Sequence, residues 1–275
     1  MIMITCYNSQ IPKSESTLSG YFRLHISYGN QTDQGRVRTS NEDSHTASGR
    51  HKLFLVADGM GGHAGGEVAS QIAATTIEEM VAKAGDDVAQ DDILRKAAQE
   101  ANTRIFQTQR ENAELAGMGS TLTALHFRDE QYSIAHVGDS RAYLLRDGVL
   151  DQLTRDHSLV WQLFESGALK KEELSGHPQK NLITRSIGPH SEIDLDVERG
   201  KTRHGDVFLL CSDGLTDVVP DEKIRATLFD SEKSPQQMCT SLINQANEAG
   251  GPDNITVVIV RIHSEAPVED ETIRL

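Results

Sequence analysis

The order of strand-like and helix-like segments is the feature that most constrains the fold of this chain. From Gly119 onward, four short runs have the length and composition of strands, and turn residues such as "RDEQ", "GDS" and "RDG" separate them. No helical pattern lies between these runs, so the chain is not a repeating βαβ unit with a parallel sheet. The block predicts an antiparallel meander within an α+β sandwich.

The remaining segments extend this pattern on both sides. Strands are predicted at "FRLHISYG", "KLFLVADG", "STLTALHF", "QYSIAHVG", "RAYLLRDG", "VLDQLT", "EIDLDVE", "DVFLLCSDG" and "NITVVIVRI". Helices are predicted at "EVASQIAATTIEEMVAKAG", from Asp91 or Asp92 through "ILRKAAQEANTRIFQTQ", and at "PDEKIRATLF" and "SPQQMCTSLINQANEAG". We expect one domain over residues 20–263, preceded by a flexible arm at 1–19 and followed by an acidic, disordered tail at 264–275.

The charge balance argues against several classes of function. The 275 residues contain 27 Lys and Arg against 41 Asp and Glu, a net charge of -14. Such a surface argues against sequence-independent binding to nucleic acid or anionic lipid, which need basic residues. The N-terminus lacks the basic region of a signal peptide, and the apolar runs are too short to span a membrane, which predicts a cytoplasmic protein. The three cysteines have no metal-type spacing.

The glycine-rich stretch "LFLVADGMGGHAGGE", residues 53–67, allows two interpretations. Gly59, Gly61 and Ala64 satisfy the G-x-G-x-x-A pattern of a dinucleotide site after a strand. However, no second parallel strand with an acidic end follows, and the lysine of a P-loop is missing. The nucleotide interpretation is therefore disfavoured, and a metal site remains.

Carboxylates at strand ends support the metal interpretation. Asp58 ends "LFLVA", Asp213 ends "VFLLCS", Asp253 precedes the last strand, and Asp43 lies in "RTSNED". Burying an unpaired carboxylate costs several kcal/mol, so such ends call for a compensating cation. Hard oxygen ligands without a His or Cys cluster favour Mg²⁺ or Mn²⁺. Each Asp alone is better explained as a turn or capping residue, but the four together favour a shared site.

Eight segments, in this order, resemble the metal-dependent serine/threonine protein phosphatases of type 2C. They are "RTSNED", "VADGMGGHAGGE", "GSTLTAL", "AHVGDSRAYLLRDG", "LTRDHS", "HPQKNLITRSIG", "LLCSDGLTD" and "GPDNITVVIV". The resemblance covers residues 30–262, and the glycine loop and "HPQKNLITRSIG" are similar to the compact bacterial branch. It implies a four-layer αββα sandwich, two antiparallel sheets flanked by helix pairs, with residues 157–190 as a substrate-facing flap segment.

The resemblance also implies roles for individual residues. Asp58 would bridge two metal ions, Gly59 would offer its carbonyl, and Asp213 and Asp253 would complete the second ion's ligands. Asp43 and Glu42 would hold metal-bound waters. Asp156 together with Asp213 would form a third, weaker metal position, which Asp217 would support. Arg38 matches the arginine that grips the substrate phosphate.

One position departs from the family pattern. In animal members a histidine follows the Asp-Gly pair and is the usual candidate for the general acid, whereas this chain has Met60. His63, in the same loop, is the alternative catalytic acid, set against a solvated or structural role. Asp139 and Arg141 in "GDSR" are expected to stabilise a turn, and Arg185 either contacts substrate or forms a salt bridge.

The expected function is hydrolysis of phosphoserine and phosphothreonine in proteins by water activated by two Mn²⁺ or Mg²⁺ ions, with room for a third. The expected partners are phosphoproteins and a cognate serine/threonine kinase; nucleic acid and membranes are not expected, and the chain is expected to be a monomer. Two alternatives stay open: a silent member that only binds phosphoproteins, and another two-metal phosphoesterase such as a nuclease.

Overall fold

A computed structural model describes residues 24–61, 65–85, 88–174 and 176–263. The strands are β1 (His25–Asp33), β2 (Asp43–Ser48), β3 (Leu53–Met60), β4 (Gly119–Ser120), β5 (Leu122–Arg128), β6 (Gln131–Val137), β7 (Arg141–Arg146), β8 (Val149–Gln152), β9 (Asp196–Lys201), β10 (Val207–Cys211) and β11 (Ile255–His263). The helices are α1 (Gly65–Lys83), α2 (Gln90–Glu111), α3 (Leu159–Glu165), α4 (Asp213–Thr216), α5 (Asp221–Phe229) and α6 (Pro235–Glu248).

The strands form two antiparallel sheets. The first sheet has the order β2-β3-β5-β6-β9, with the short β4 paired to β3, and the second has the order β1-β11-β10-β7-β8. Helices α1 and α2 pack on the first sheet, and α5 and α6 lie on the side of the second. The α+β class is confirmed, and the packing is consistent with four layers.

Alternation along the central strands explains how the layers pack. In β3, Leu53 and Leu55 face the helices, while Phe54 and Val56 face the other sheet. This is the period of two that a strand imposes on its side chains. Between the sheets, Phe127 contacts Phe208 edge to face at a ring distance of 5.3 Å, and thereby joins the two sheets. Each sheet thus buries both of its faces.

The predicted meander is wrong. Strands β5 and β6 pair with each other in the first sheet, and β7 and β8 pair in the second, so the chain changes sheets between Val137 and Arg141. The composition of the four runs does not specify to which sheet each belongs. The strand β2 was not predicted, because "DSHTAS" is mostly polar, and the predicted "EIDLDVE" strand begins later, at Asp196.

Other boundaries agree more closely with expectation. Helix α2 begins one residue before Asp91, at Gln90, and its N-cap Ala89 makes no side-chain cap. The segment 157–190 contains α3 and then a mixture of turns. No helix in the described ranges is long and apolar enough to cross a membrane. The arm at 1–19 and the tail at 264–275 lie outside the described residues, so those predictions stay open.

Strand register brings the acidic residues to one end of the sandwich. Asp43 begins β2 and lies directly opposite Asp58 in β3. On the second sheet, the end of β10 leads into Asp213, and Asp253 comes just before β11, which pairs with β10. The two sheets therefore present their carboxylates to the same region, where Asp58, Asp213 and Asp253 line a common cavity.

Candidate metal centre

Asp43 and Asp58 form a like-charged cross-strand pair. Asp43 Oδ2 accepts hydrogen bonds from Ser212 Oγ at 2.8 Å and Thr256 Oγ1 at 2.7 Å, both of which come from the second sheet's side. Its Oδ1 is buried and has no hydrogen-bond partner in the structure. Burial raises the pKa of Asp43 to about 6, although the two hydroxyls oppose that shift. Directly opposed like charges destabilise a sheet unless something neutralises them.

Asp58 and Asp213 lie at the centre of the acidic group. Burial raises the pKa of Asp58 well above its ordinary value, and the charges of Asp43 and Asp213 raise it further. For Asp213 burial is again the largest cause, followed by the charges of Asp139 and Asp217. Both side chains keep a partly open face, and both line a cavity of about 250 Å³. A cation in this cavity would stabilise the ionised form of both carboxylates.

Glycines let the backbone approach this cavity. Gly59 N–H donates to the Glu42 carbonyl at 3.1 Å. A Cβ at Gly59 would overlap the Gly66 carbonyl oxygen, and one at Gly66 would overlap the Glu42 carboxylate. Any larger residue at either position would push Glu42 or the start of α1 away. Gly59 and Gly66 therefore have a packing reason to be glycine besides their conformational freedom.

Arg38 supplies the positive charge of the cavity. Its Nη2 lies 2.6 Å from Asp253 Oδ2, and half of its side chain remains exposed. Met60 and Ile183 line the same cavity and give it an apolar side. No histidine is among the described residues that line it, and His63 lies outside the described residues. The structure therefore leaves the role of His63 as a prediction.

A second cavity, of about 170 Å³, adjoins the first through Asp213 and Asn181, which line both. Asp156 is held there by Arg141, whose Nη2 lies 2.7 Å from Asp156 Oδ2 and whose Nε contacts both oxygens. Asp217 accepts from Lys180 Nζ at 2.6 Å. Arg185 forms a salt bridge with Asp196, at 2.8 Å, which is the second of its two expected roles.

Asp139 is the residue that sequence analysis undervalued. It lines the second cavity, is 7% exposed, and its Oδ1 has no partner among the described residues. Burial and the charge of Asp156 raise its pKa to about 7. One signal was available: "HVGD" places an aspartate just past a strand end, as "LVAD" nearly does for Asp58. The adjacent Gly and Ser in "GDS" are typical of a turn, and a turn explained the aspartate without a functional role.

Two buried carboxylate oxygens test whether hard cations fit. Asp43 Oδ1 and Asp139 Oδ1 have no hydrogen-bond donor among the described residues. Carboxylates and backbone carbonyls are ligands for Mg²⁺ and Mn²⁺, so the donor set fits these ions. No group of three or more acidic, His or Cys side chains within the described ranges already has the spacing of a metal site. Arg38, Arg141 and Lys180 each form an ion pair with one nearby carboxylate, namely Asp253, Asp156 and Asp217.

Comparison with known proteins identifies the family. Residues 32–251 match the model of a protein phosphatase 2C domain. The chain belongs to the protein phosphatase 2C family. The serine/threonine protein phosphatase PstP of Mycobacterium tuberculosis is 42% identical over 242 residues, which are 87% of this chain and 45% of PstP. The serine/threonine phosphatase stp of Listeria monocytogenes is 39% identical over 236 residues, 84% of this chain and 93% of that protein.

Solved structures of type 2C relatives agree with the fold. The catalytic domain of PstP in complex with two manganese ions matches with a TM-score of 0.81 at 38% identity, covering 88% of this chain and 100% of that one. Stp1 from Staphylococcus aureus matches with a TM-score of 0.80 at 32% identity, covering 88% and 96%. The expected type 2C resemblance is thereby confirmed.

Proposed function

We propose that this chain hydrolyses phosphoserine and phosphothreonine in proteins with the help of two divalent ions. The observation that carries the proposal is the buried acidic group contributed by both sheets, with Asp43 Oδ1 unsatisfied beside Asp58. Support also comes from the names of the relatives and from the two manganese ions in the PstP catalytic domain. PstP extends well beyond the matched region, so its activity bears on this chain only as support.

The residues that would hold the ions are Asp58, the Gly59 carbonyl, Asp213 and Asp253, with Asp43 and Glu42 orienting waters. When bound, such ions lower the pKa of water and neutralise the oxygens of a phosphate group. The chain's part is to keep these carboxylates fixed. Ser212 and Thr256 fix Asp43 Oδ2 and leave Oδ1 directed away from them.

Arg38 would bind the phosphate. Its guanidinium can form two parallel hydrogen bonds with a phosphate dianion, which an ammonium cannot. In the structure this side chain is paired with Asp253. An incoming phosphate and Asp253 therefore compete for Arg38, and Asp253 becomes available as a ligand when Arg38 moves to the substrate.

The leaving serine or threonine oxygen needs a proton. The Met60 side chain has no proton to donate, so His63 is the candidate general acid within the glycine loop. If His63 acts in this way, His63→Gln will lower kcat for alkyl phosphates far more than for p-nitrophenyl phosphate, whose leaving group needs little protonation. Equal losses on both substrates would exclude the role.

The test of the proposed function is hydrolysis of p-nitrophenyl phosphate and of a phosphothreonine peptide in Mn²⁺, with and without EDTA. Asp58→Asn should lower kcat at least a thousandfold while the circular dichroism spectrum is unchanged, because the central ligand is lost but its shape is kept. Asp147→Asn is the matched control, since the Asp147 side chain is 87% exposed on a turn. Near-normal turnover by Asp58→Asn would contradict the proposal.

The same assay separates the alternatives. A silent member would bind the phosphopeptide without releasing phosphate, and a nuclease would cleave an oligonucleotide faster than the peptide. We also propose that a serine/threonine kinase opposes this activity and that the protein works as a cytoplasmic monomer. A third ion would be held by Asp213 together with Asp139 or Asp156, with support from Asp217. Of the two third-ion candidates, Asp139 is favoured, because Arg141 already occupies both oxygens of Asp156.

A further inference from the structure

The second cavity lies between the flap segment, residues 157–190, and the two sheets. More negative than positive side chains line it. Five aspartates line it against two cations, Arg141 and Lys180; the aspartates are Asp139, Asp156, Asp213, Asp217 and Asp221. An excess of buried negative charge is costly, so the position of each cation matters.

The two cations differ in how they are held. Arg141 is on β7, is mostly buried, and makes three hydrogen bonds to Asp156 and one to Tyr143. Lys180 lies on the flap segment, is about one-third exposed, and makes a single contact, 2.6 Å to Asp217 Oδ2. Arg141 is therefore a fixed charge, whereas Lys180 can leave when its segment moves.

The flap segment is fixed at its ends but hardly at its middle. Backbone hydrogen bonds join Ile187 to Ser120 at one end, and Leu159 to Leu182 within the segment. Among the described side chains of residues 166–181, Lys180 makes the one hydrogen bond or ion pair that reaches beyond the flap segment. Its partner, Asp217, directly follows α4, which begins with the candidate ligand Asp213.

We propose that Lys180 is a tethered counter-cation that competes with a divalent ion for the second cavity. With Lys180 on Asp217, its ammonium lowers the negative charge that Asp139 and Asp213 present, and the middle of the flap segment is held down. A divalent ion at Asp139 and Asp213 would repel the ammonium and free that part of the flap. Lys180 is thus a positioning residue that couples ion binding to flap position.

The inference rests on the proposed function only in that a divalent ion reaches this cavity. Its observations are independent of the first cavity: the unsatisfied Asp139 Oδ1, and the single ion pair that ties the flap segment to Asp217. Because a charge a few ångströms from a divalent ion acts strongly in a partly buried site, removing the ammonium should have a measurable effect on ion affinity.

The experiment combines calorimetric titration of the metal-free protein with Mn²⁺ and hydrogen–deuterium exchange of peptides spanning 166–182. Wild type is compared with Lys180→Gln and with the matched control Lys170→Gln, an exposed lysine on the same segment. We expect Lys180→Gln to tighten the weakest Mn²⁺ step at least threefold. In wild type Mn²⁺ should speed exchange in 166–182, whereas in Lys180→Gln exchange should be fast already and insensitive to Mn²⁺.

A third variant separates competition from a purely structural role. Asp217→Asn should free the flap as Lys180→Gln does, but without tightening Mn²⁺, because it removes a carboxylate as well as the ion pair. Faster exchange in Lys180→Gln with unchanged Mn²⁺ affinity would overturn the inference. If wild type binds Mn²⁺ and hydrolyses p-nitrophenyl phosphate but the flap does not respond, only the inference fails; if it binds none, the proposed function fails too.

Discussion

Replacing Asp139 with asparagine should stabilise the metal-free protein. Asp139 is 7% exposed, and burial raises its pKa from the ordinary 3.8 to about 7. A carboxylate whose pKa is higher in the folded than in the unfolded state destabilises folding as pH rises from the lower value to the higher. At pH 8 this corresponds to a destabilisation on the order of 4 kcal/mol, and at pH 5 to less than half of that.

We expect Asp139→Asn to recover about half of the pH 8 cost, ~2 kcal/mol, since the buried amide also needs partners. Urea unfolding in EDTA at pH 8 and pH 5 measures the gain, which should shrink at pH 5. Asp147→Asn is the control, because Asp147 has a φ of 51° that asparagine tolerates, and it should change stability by less than ~0.5 kcal/mol.

Two results would refute this reasoning. One is a variant no more stable than wild type at pH 8, which would mean that the charge of Asp139 is compensated in the metal-free fold. The other is a gain that is equal at both pH values, which would point to packing instead of charge. Addition of Mn²⁺ should reverse the order, because wild type gains more from ion binding than the variant does.

Three further changes have defined outcomes. Gly59→Ala should destabilise the protein by at least ~2 kcal/mol in urea, because the new Cβ would overlap the Gly66 carbonyl. Arg38→Lys should raise KM for a phosphopeptide about tenfold, measured by phosphate release, because paired hydrogen bonding to the phosphate is lost; an unchanged KM would remove Arg38 from substrate binding. Ser212→Ala should cost about 1–2 kcal/mol at pH 8 and less at pH 5, since Asp43 loses a donor that its ionised form needs.

The aspartates that follow buried apolar runs could be singled out from the sequence, because Asp-Gly after such a run is a local pattern, although β3 continues to Met60. Asp58 and Asp213 were predicted in this way, and the structure brings both to one cavity. Contacts between side chains from different segments were harder to predict from the sequence. The "RDG" turn correctly predicted that β8 returns along β7, but no local pattern indicated that Asp156, beyond the end of β8, would pair with Arg141.

The feature that the sequence failed to predict was which strand belongs to which sheet. The turn "GDS" was interpreted as a hairpin, whereas it carries the chain from β6 in one sheet to β7 in the other. A hairpin would have left Asp139 at a solvent-exposed tip. The crossing instead leaves Asp139 buried against the second cavity, and the same error therefore hid both the topology and the residue's importance.

The edge-to-face contact between Phe127 and Phe208 has a consequence for the chemistry. Asp43 and Asp58 belong to one sheet, while Asp213 and Asp253 lie just beyond strands β10 and β11 of the other, so their mutual spacing depends on how the two sheets lie against each other. A slip of one residue, about 3.3 Å, would take the two halves of the acidic group out of reach of a common ion. The aromatic contacts between the sheets thus keep the two halves of the acidic group aligned. Mutations of these buried rings should therefore lower the rate of turnover before they unfold the chain.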